Sequence, residues 1–180
     1  MWWQINLDGI TILESLEEVK QKGFLDNATF QYVNVDYYYV KKYFEVIDKL
    51  IEKYKALEPN YNVSIFKKLK ISNYFENYRY LGDQWFYQRH HIDEIFISGV
   101  IYKAEYKEEY DNGLSIIVDI KEHAFLHYLI IMAQSTAPNN GMDLQVSREE
   151  WDEIIREYCE KYDCMYDQDW EEFVRVIGHI

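Results

Sequence analysis

The densest set of chemically able side chains in this 180-residue chain is Arg89-His90-His91-Ile92-Asp93-Glu94. Two imidazoles and two carboxylates could ligate a divalent ion or supply an acid–base pair. The surrounding sequence reads as strand, however, and adjacent residues of a strand point to opposite faces, so His90 and His91 are not expected to converge. His123 and His127 have the i, i+4 spacing of a zinc-binding helix but lack the glutamate of H-E-x-x-H. Their segment is also read as strand, which places both rings on one face but too far apart to share an ion without a bend. Cys159 and Cys164 stand five apart with no second ligand pair at a matching spacing, and are read as buried or idle thiols.

The acidic run from Asp163 to Glu172 invites a calcium reading, yet it has neither the D-x-D-x-D-G order nor the turn glycine of an EF-hand loop. No P-loop, no G-x-G-x-x-G after a strand and no G-x-S-x-G elbow occurs. No metal or cofactor is therefore expected from the sequence, and the chain leans away from being an enzyme.

The elements that must position these groups are legible in part. Asp111-Asn112-Gly113 carries hairpin-turn chemistry. Ile95, Ile97, Tyr102, Ala104 and Tyr106 before it, and Leu114, Ile116, Ile117, Val118 and Ile120 after it, read as two strands. The apolar run Phe125–Met132 favours a further strand returning through Lys121-Glu122-His123, with a buried helix as the alternative, since the run is too short for period to decide. In the first half, Val40, Tyr43, Phe44, Ile47, Leu50, Ile51, Tyr54 and Leu57 form one helical stripe over residues 36 to 57, with Asp36 as cap and Pro59 as terminator. Asp8-Gly9 is a candidate hairpin turn between Gln4–Leu7 and Ile10–Leu13, and Ser15 opens a capping box for a short helix ending near Gly23. Phe24–Val33 reads as extended or loop. Val63 and Ile65 suggest a strand.

After the loop Ser135–Gly141, Ser147 and Glu150 form a capping box for a helix with Trp151, Ile154, Ile155, Tyr158 and Tyr162 on its apolar face. A last helix is expected from Asp169, burying Trp170, Phe173, Val174 and Ile177. The fold class expected is α+β. A mainly antiparallel sheet, a meander around residues 84–132, is packed by the long helix of the first half and two acidic C-terminal helices. The chain is read as one domain over 1–180, with a sub-boundary at 135–145 and 146–180 as an acidic helical appendage.

Net charge is −13, and it is unevenly spread: residues 1–80 balance, whereas residues 143–180 hold 12 acidic against 4 basic side chains. That gradient disfavours direct contact with nucleic-acid backbones or anionic membranes and suits a basic protein surface. With 18 Tyr and 5 Trp, the aromatic content also exceeds what a core of this size requires, a composition enriched at interfaces. No apolar run is long enough for a membrane span, no secretory signal is evident, and a cytoplasmic location is expected.

The function these features favour is a non-enzymatic acidic inhibitor that occupies a basic, nucleic-acid-binding surface of a partner such as a nuclease. Immunity proteins and phage-encoded anti-defence (anti-CRISPR-like) proteins that imitate nucleic acid share this physical character. The partner-binding candidates are Glu157, Glu160, Asp163, Tyr166, Asp167, Asp169, Glu171 and Glu172. A small enzyme or ligand-binding domain using His90–Glu94 is the alternative, and burial of the aromatics in a homodimer is a third.

Overall fold

The computed structural model describes residues 6–7, 10–11 and 35–176. Asn6–Leu7 (β1) pairs antiparallel with Ile10–Thr11 (β2), as the Asp8-Gly9 signal implies. The helix expected at Ser15–Gly23, the Phe24–Val33 segment and Ile177 lie outside the described residues.

Helix α1 spans Tyr37–Leu57, with the Asp36 carboxylate accepting from the Tyr38 amide at 2.9 Å. Its stripe is buried from Val40 to Tyr54, as periodicity requires. Three strands form the main sheet: Ser64–Ile65 (β3), Tyr87–His91 (β6) and Leu114–Asp119 (β7), in the antiparallel order β3-β7-β6. Arg79–Leu81 (β4) and Gln84–Trp85 (β5) make a separate short ribbon. The register sets His90 opposite Ile116 and Gln88 opposite Val118. Directly paired residues share a face, so Gln88 and His90 lie on the side of Ile116 and Val118, which belong to the principal core. Arg89 and Tyr87 share the other face with Ile117, which packs with Tyr54, Tyr61 and Leu69.

Two helices, Gly99–Glu105 (α2) and Lys107–Asn112 (α3), occupy the connection from β6 to β7. The strand expected across Ile95–Tyr106 is thus replaced by a 3-10 turn at Ile92–Ile95 followed by helix. Tyr102, Tyr106 and Tyr110 recur every four residues, a helical period that the local alternation obscures. Asp111-Asn112-Gly113 closes α3 rather than a hairpin, with Asn112 Nδ2 donating to the Glu108 carbonyl at 2.8 Å. Gly113 is required by close approach: a Cβ there would meet Tyr102 Oη at 2.8 Å.

The largest correction concerns Phe125–Met132, which is helical. Helix α4 runs Ile120–Ala133 and is buried at nearly every position. A helix apolar all round belongs inside a core. It packs between α1 and Arg148–Tyr162 (α5), over β6 and β7. Its start is a full capping box, Asp119 with Glu122, and Glu122 also accepts from Tyr54 Oη at 2.7 Å and pairs with Lys53. At the far end, Ser147 caps α5 and Trp151 is fully buried. The last helix expected from Asp169 is only a 3-10 turn, Trp170–Phe173. Mixed helix and antiparallel sheet is therefore the architecture, with helix predominating.

Candidate metal centre

Because α4 is a helix, His123 and His127 sit one turn apart on one side, and that side meets β6 where His90 projects. Ring centroids are 4.9 Å apart for His123 and His127, 5.0 Å for His90 and His123, and 5.5 Å for His90 and His127. One ligating nitrogen from each ring comes within 4.8 Å of the other two, and all three residues are buried.

Each ring is held by an outer partner on one nitrogen. His90 Nε2 lies 2.6 Å from Tyr43 Oη, and that hydroxyl donates to the Ile92 carbonyl at 3.0 Å. With the hydroxyl proton on that carbonyl, Nε2 carries the hydrogen and Nδ1 keeps its lone pair, the tautomer that metal binding requires. Gln88 Nε2 donates to the Trp85 carbonyl and to Gln145 Oε1, which turns Gln88 Oε1 toward His123 Nδ1 at 2.5 Å. His123 Nδ1 must then be the donor, leaving Nε2 unprotonated. Glu94 Oε2 is 3.5 Å from His127 Nε2, which places the His127 hydrogen on that side. The remaining nitrogens His90 Nδ1 and His127 Nδ1 are buried with no hydrogen-bond partner among the described residues. Metal-ligating histidines are commonly oriented this way, one nitrogen tied to a carboxylate, carbonyl or similar group and the other free for the ion.

The electrostatics agree with lone pairs on all three rings. Burial depresses the His90 imidazolium to about 3, with the neighbouring His127 and His91 rings acting in the same direction and Glu94 opposing. Burial also lowers His123, well below the ordinary histidine value, and lowers His127 despite the Glu94 carboxylate beside it. Burial works against ionisation of Glu94, but hydrogen bonding from His91 and the surrounding imidazoles hold its carboxyl below the usual range. Burial keeps the Tyr43 phenol protonated, its pKa far above the ordinary one.

A cleft of about 380 Å³ opens onto the centre, lined by His123, His127 and Glu94 together with Arg89, Asn139 and Asn140. Gly141 borders it with its Cα against the His127 ring: a Cβ there would lie 2.5 Å from His127 Cε1 and 2.9 Å from Nδ1. The space beside that nitrogen exists only because residue 141 has no side chain.

The sequence expectations divide accordingly. His90 and His91 do diverge, as alternation demands. His91 turns to the other side, donates from Nε2 to the Tyr110 carbonyl at 2.8 Å and stacks on Phe66. Glu94 returns to touch both His127 and His91, whereas Asp93 accepts from Tyr102 Oη at 3.2 Å. The geometric argument against His123 and His127 rested on a strand and falls with it, while the glutamate of H-E-x-x-H is still missing. Tyr43 and Gln88 were not singled out at all. Only their register on α1 and β6 marks them, whereas the D-x-x-E box at Asp119 was a readable sign that the H-x-x-x-H pair lies on a helix. Of the acidic candidates, Glu157 and Glu160 lie on α5, Asp163 caps it, and Asp167, Asp169, Glu171 and Glu172 follow in the last turn; Tyr166 Oη donates to Asp152 at 2.8 Å. Cys159 and Cys164 are free thiols. No helix among the described residues is long and apolar enough to cross a membrane. No family model matches the chain, and neither a curated protein nor a solved structure matches it.

Proposed function

We propose that this chain is a mononuclear metalloprotein of the hydrolytic kind, in which His90, His123 and His127 hold a divalent transition ion such as Zn²⁺ and Glu94 is the neighbouring base. The observation that carries this reading is three buried imidazoles with one ligating nitrogen each within 4.8 Å of the other two, every ring also meeting an outer polar partner. An unpartnered buried polar atom costs about 1–3 kcal/mol, and an ion would offset that cost at His90 Nδ1 and His127 Nδ1 together. Tetrahedral zinc needs ligand nitrogens roughly 3.3 Å apart, from bonds of about 2.0–2.1 Å, so the three rings draw inward by small rotations on binding. Three nitrogen ligands leave a fourth position for water, the arrangement of catalytic rather than closed structural zinc. A bound ion would lower the pKa of a water in that position toward neutrality, and Glu94 at the cleft wall would be the group placed to accept its proton.

The test is metal content after reconstitution of purified, metal-stripped protein with Zn²⁺ or Co²⁺. About one ion per chain is expected, with a tetrahedral Co²⁺ spectrum, and both are lost in His123→Ala/His127→Ala. Failure of Zn²⁺, Co²⁺, Mn²⁺ and Fe²⁺ alike to bind stoichiometrically, or retention by the double variant, overturns the reading.

A second reading, the acidic inhibitor of a basic partner protein, is supported by one observation. Glu157, Glu160, Asp163, Asp169, Glu171 and Glu172 are all exposed and enter no salt bridge among the described residues. Free carboxylates raise association rates with basic surfaces in a salt-dependent way. If this surface binds a basic nuclease, reversing Asp167, Asp169, Glu171 and Glu172 to lysine slows association at low salt by tenfold or more, about the lower bound for steering. An unchanged rate removes the patch from consideration.

A further inference from the structure

The metal cleft does not end at His123. A second, broader cleft of about 880 Å³ continues from it, and the two share Phe66, Arg89 and His123 in their walls. This second cleft is lined by Lys67, Lys70 and Arg89 and by no aspartate or glutamate, in a chain whose net charge is −13. Lys67 and Lys70 are exposed and enter no salt bridge among the described residues. Their segment is pinned in place: the Lys67 amide donates to the Asp111 carbonyl at 3.0 Å, and Leu69 between them is buried.

Arg89 is built in more firmly. One terminal nitrogen of its guanidinium donates to the Phe66 and Leu69 carbonyls at 2.8 and 3.2 Å, and the fork lies 3.8 Å from the Phe66 ring centroid. That fixes the plane of the group and leaves its other N–H donors without a hydrogen bond among the described residues, in clefts whose walls also include His123. Although Arg89 and His90 leave β6 on opposite faces, Arg89 lines the cleft that opens onto His123 and His127, and a planar guanidinium there can bind phosphate oxygens in pairs. Trp85 and Tyr87 complete the wall, and Trp85 is 45% exposed, with Arg79 over its ring. An exposed indole beside cations suits the flat organic part of a phosphate ester.

We propose that the substrate class of the centre is an organic phosphate ester, with its phosphoryl group between the ion and Arg89 and its organic part along Lys67, Lys70 and Trp85. This rests on the metalloprotein reading. In the reaction, water activated by the ion would form the new O–P bond, its proton would pass to Glu94, and the P–O bond to the alcohol would break. The same proton then goes to the departing alkoxide, so that alcohol and phosphate are the products and Glu94 is regenerated.

The experiment is a calorimetric titration of the full chain with AMP, metal-free and Zn²⁺-loaded, for the wild type and for Lys67→Ala/Lys70→Ala, with zinc content measured on each sample. Expected are binding by the loaded wild type and a loss of at least about tenfold in the double variant, the scale of one charge-assisted contact, at unchanged zinc content. Hydrolysis of p-nitrophenyl phosphate by the loaded wild type, abolished in Glu94→Gln, is expected in parallel. Zinc bound but AMP affinity absent, or equal in the two proteins, overturns the phosphate assignment and leaves the metal centre standing. No zinc bound, with AMP affinity still weakened in the double variant, overturns the metal centre and upholds the cationic cleft as an anion site.

Discussion

At the scale of single residues, the three histidines tie the molecule to pH with a definite sign. Their folded-state values lie below the ordinary 6.5 because burial penalises the imidazolium, and His90 falls to about 3. Between those limits the unfolded chain binds protons that the folded chain refuses, so stability rises with pH and is lost as pH falls below about 6.5. Glu94, also depressed, adds in the same direction once pH passes below its unfolded value of 4.5. His90 contributes up to about 1.4 kcal/mol per pH unit over that window, and His123 and His127 act in the same direction. Urea unfolding of the metal-free chain is therefore expected to show midpoints dropping steeply from pH 7 to pH 5, with the metal-loaded chain holding to lower pH because the ion occupies the deprotonated rings. A flat profile over that range would mean the rings are protonated or solvated in the fold.

At the scale of elements, everything about the centre hangs on α4 starting where it does. Asp119 and Glu122 close its first turn reciprocally, and Glu122, wholly buried, is simultaneously bound by Tyr54 and Lys53 of α1. That junction fixes the rotation of α4 about its axis and so the side on which His123 and His127 emerge. Glu122→Ala removes a cap and strands the Tyr54 hydroxyl, a loss of about 2–4 kcal/mol, readable in thermal melts, while Lys53→Met, at a half-exposed position, costs less. An effect below about 1 kcal/mol would mean the junction is dispensable. The same junction explains why the sequence misleads here. Phe125–Met132 is apolar at almost every position, so periodicity is silent, and the decision falls to the boundary, where Asp119-x-x-Glu122 outweighs the β-branched run before it. For α1 and α5 the opposite holds: each has one wet face, each shows a clear stripe, and both were legible. The helices at 99–112 were obscured because tyrosines spaced by four sit among residues that also alternate.

At the scale of the whole molecule, β7 lies between two differently built halves. One face carries α4, α1 and α5 in a continuous aliphatic and aromatic core; the other is a smaller cluster of Tyr54, Tyr61, Leu69 and Ile117. Strand β6 takes the outer position in this sheet, so His90 points into the large core while Arg89, its neighbour, points to the small one, and the clefts meet beside that strand. The candidate site was thus half visible in sequence. His90, His123 and His127 were each noticed, but their meeting depends on a register and a helix rotation that no local spacing encodes. The negative charge of residues 143–180 was read correctly as composition; the chain's total hides a cationic region on Lys67, Lys70 and Arg89, because a total says nothing of arrangement.

One contact within the large core has a further use. The Trp151 indole donates to the carbonyl of Ala124 at 2.8 Å, the residue next to His123, and its ring lies 5.0 Å from that of Trp170. The molecule therefore carries its own lamp beside the centre. A paramagnetic ion such as Cu²⁺ arriving there would dim the ultraviolet emission of this indole pair, whereas diamagnetic Zn²⁺ would leave it bright, so occupancy can be followed by native luminescence without attaching a dye.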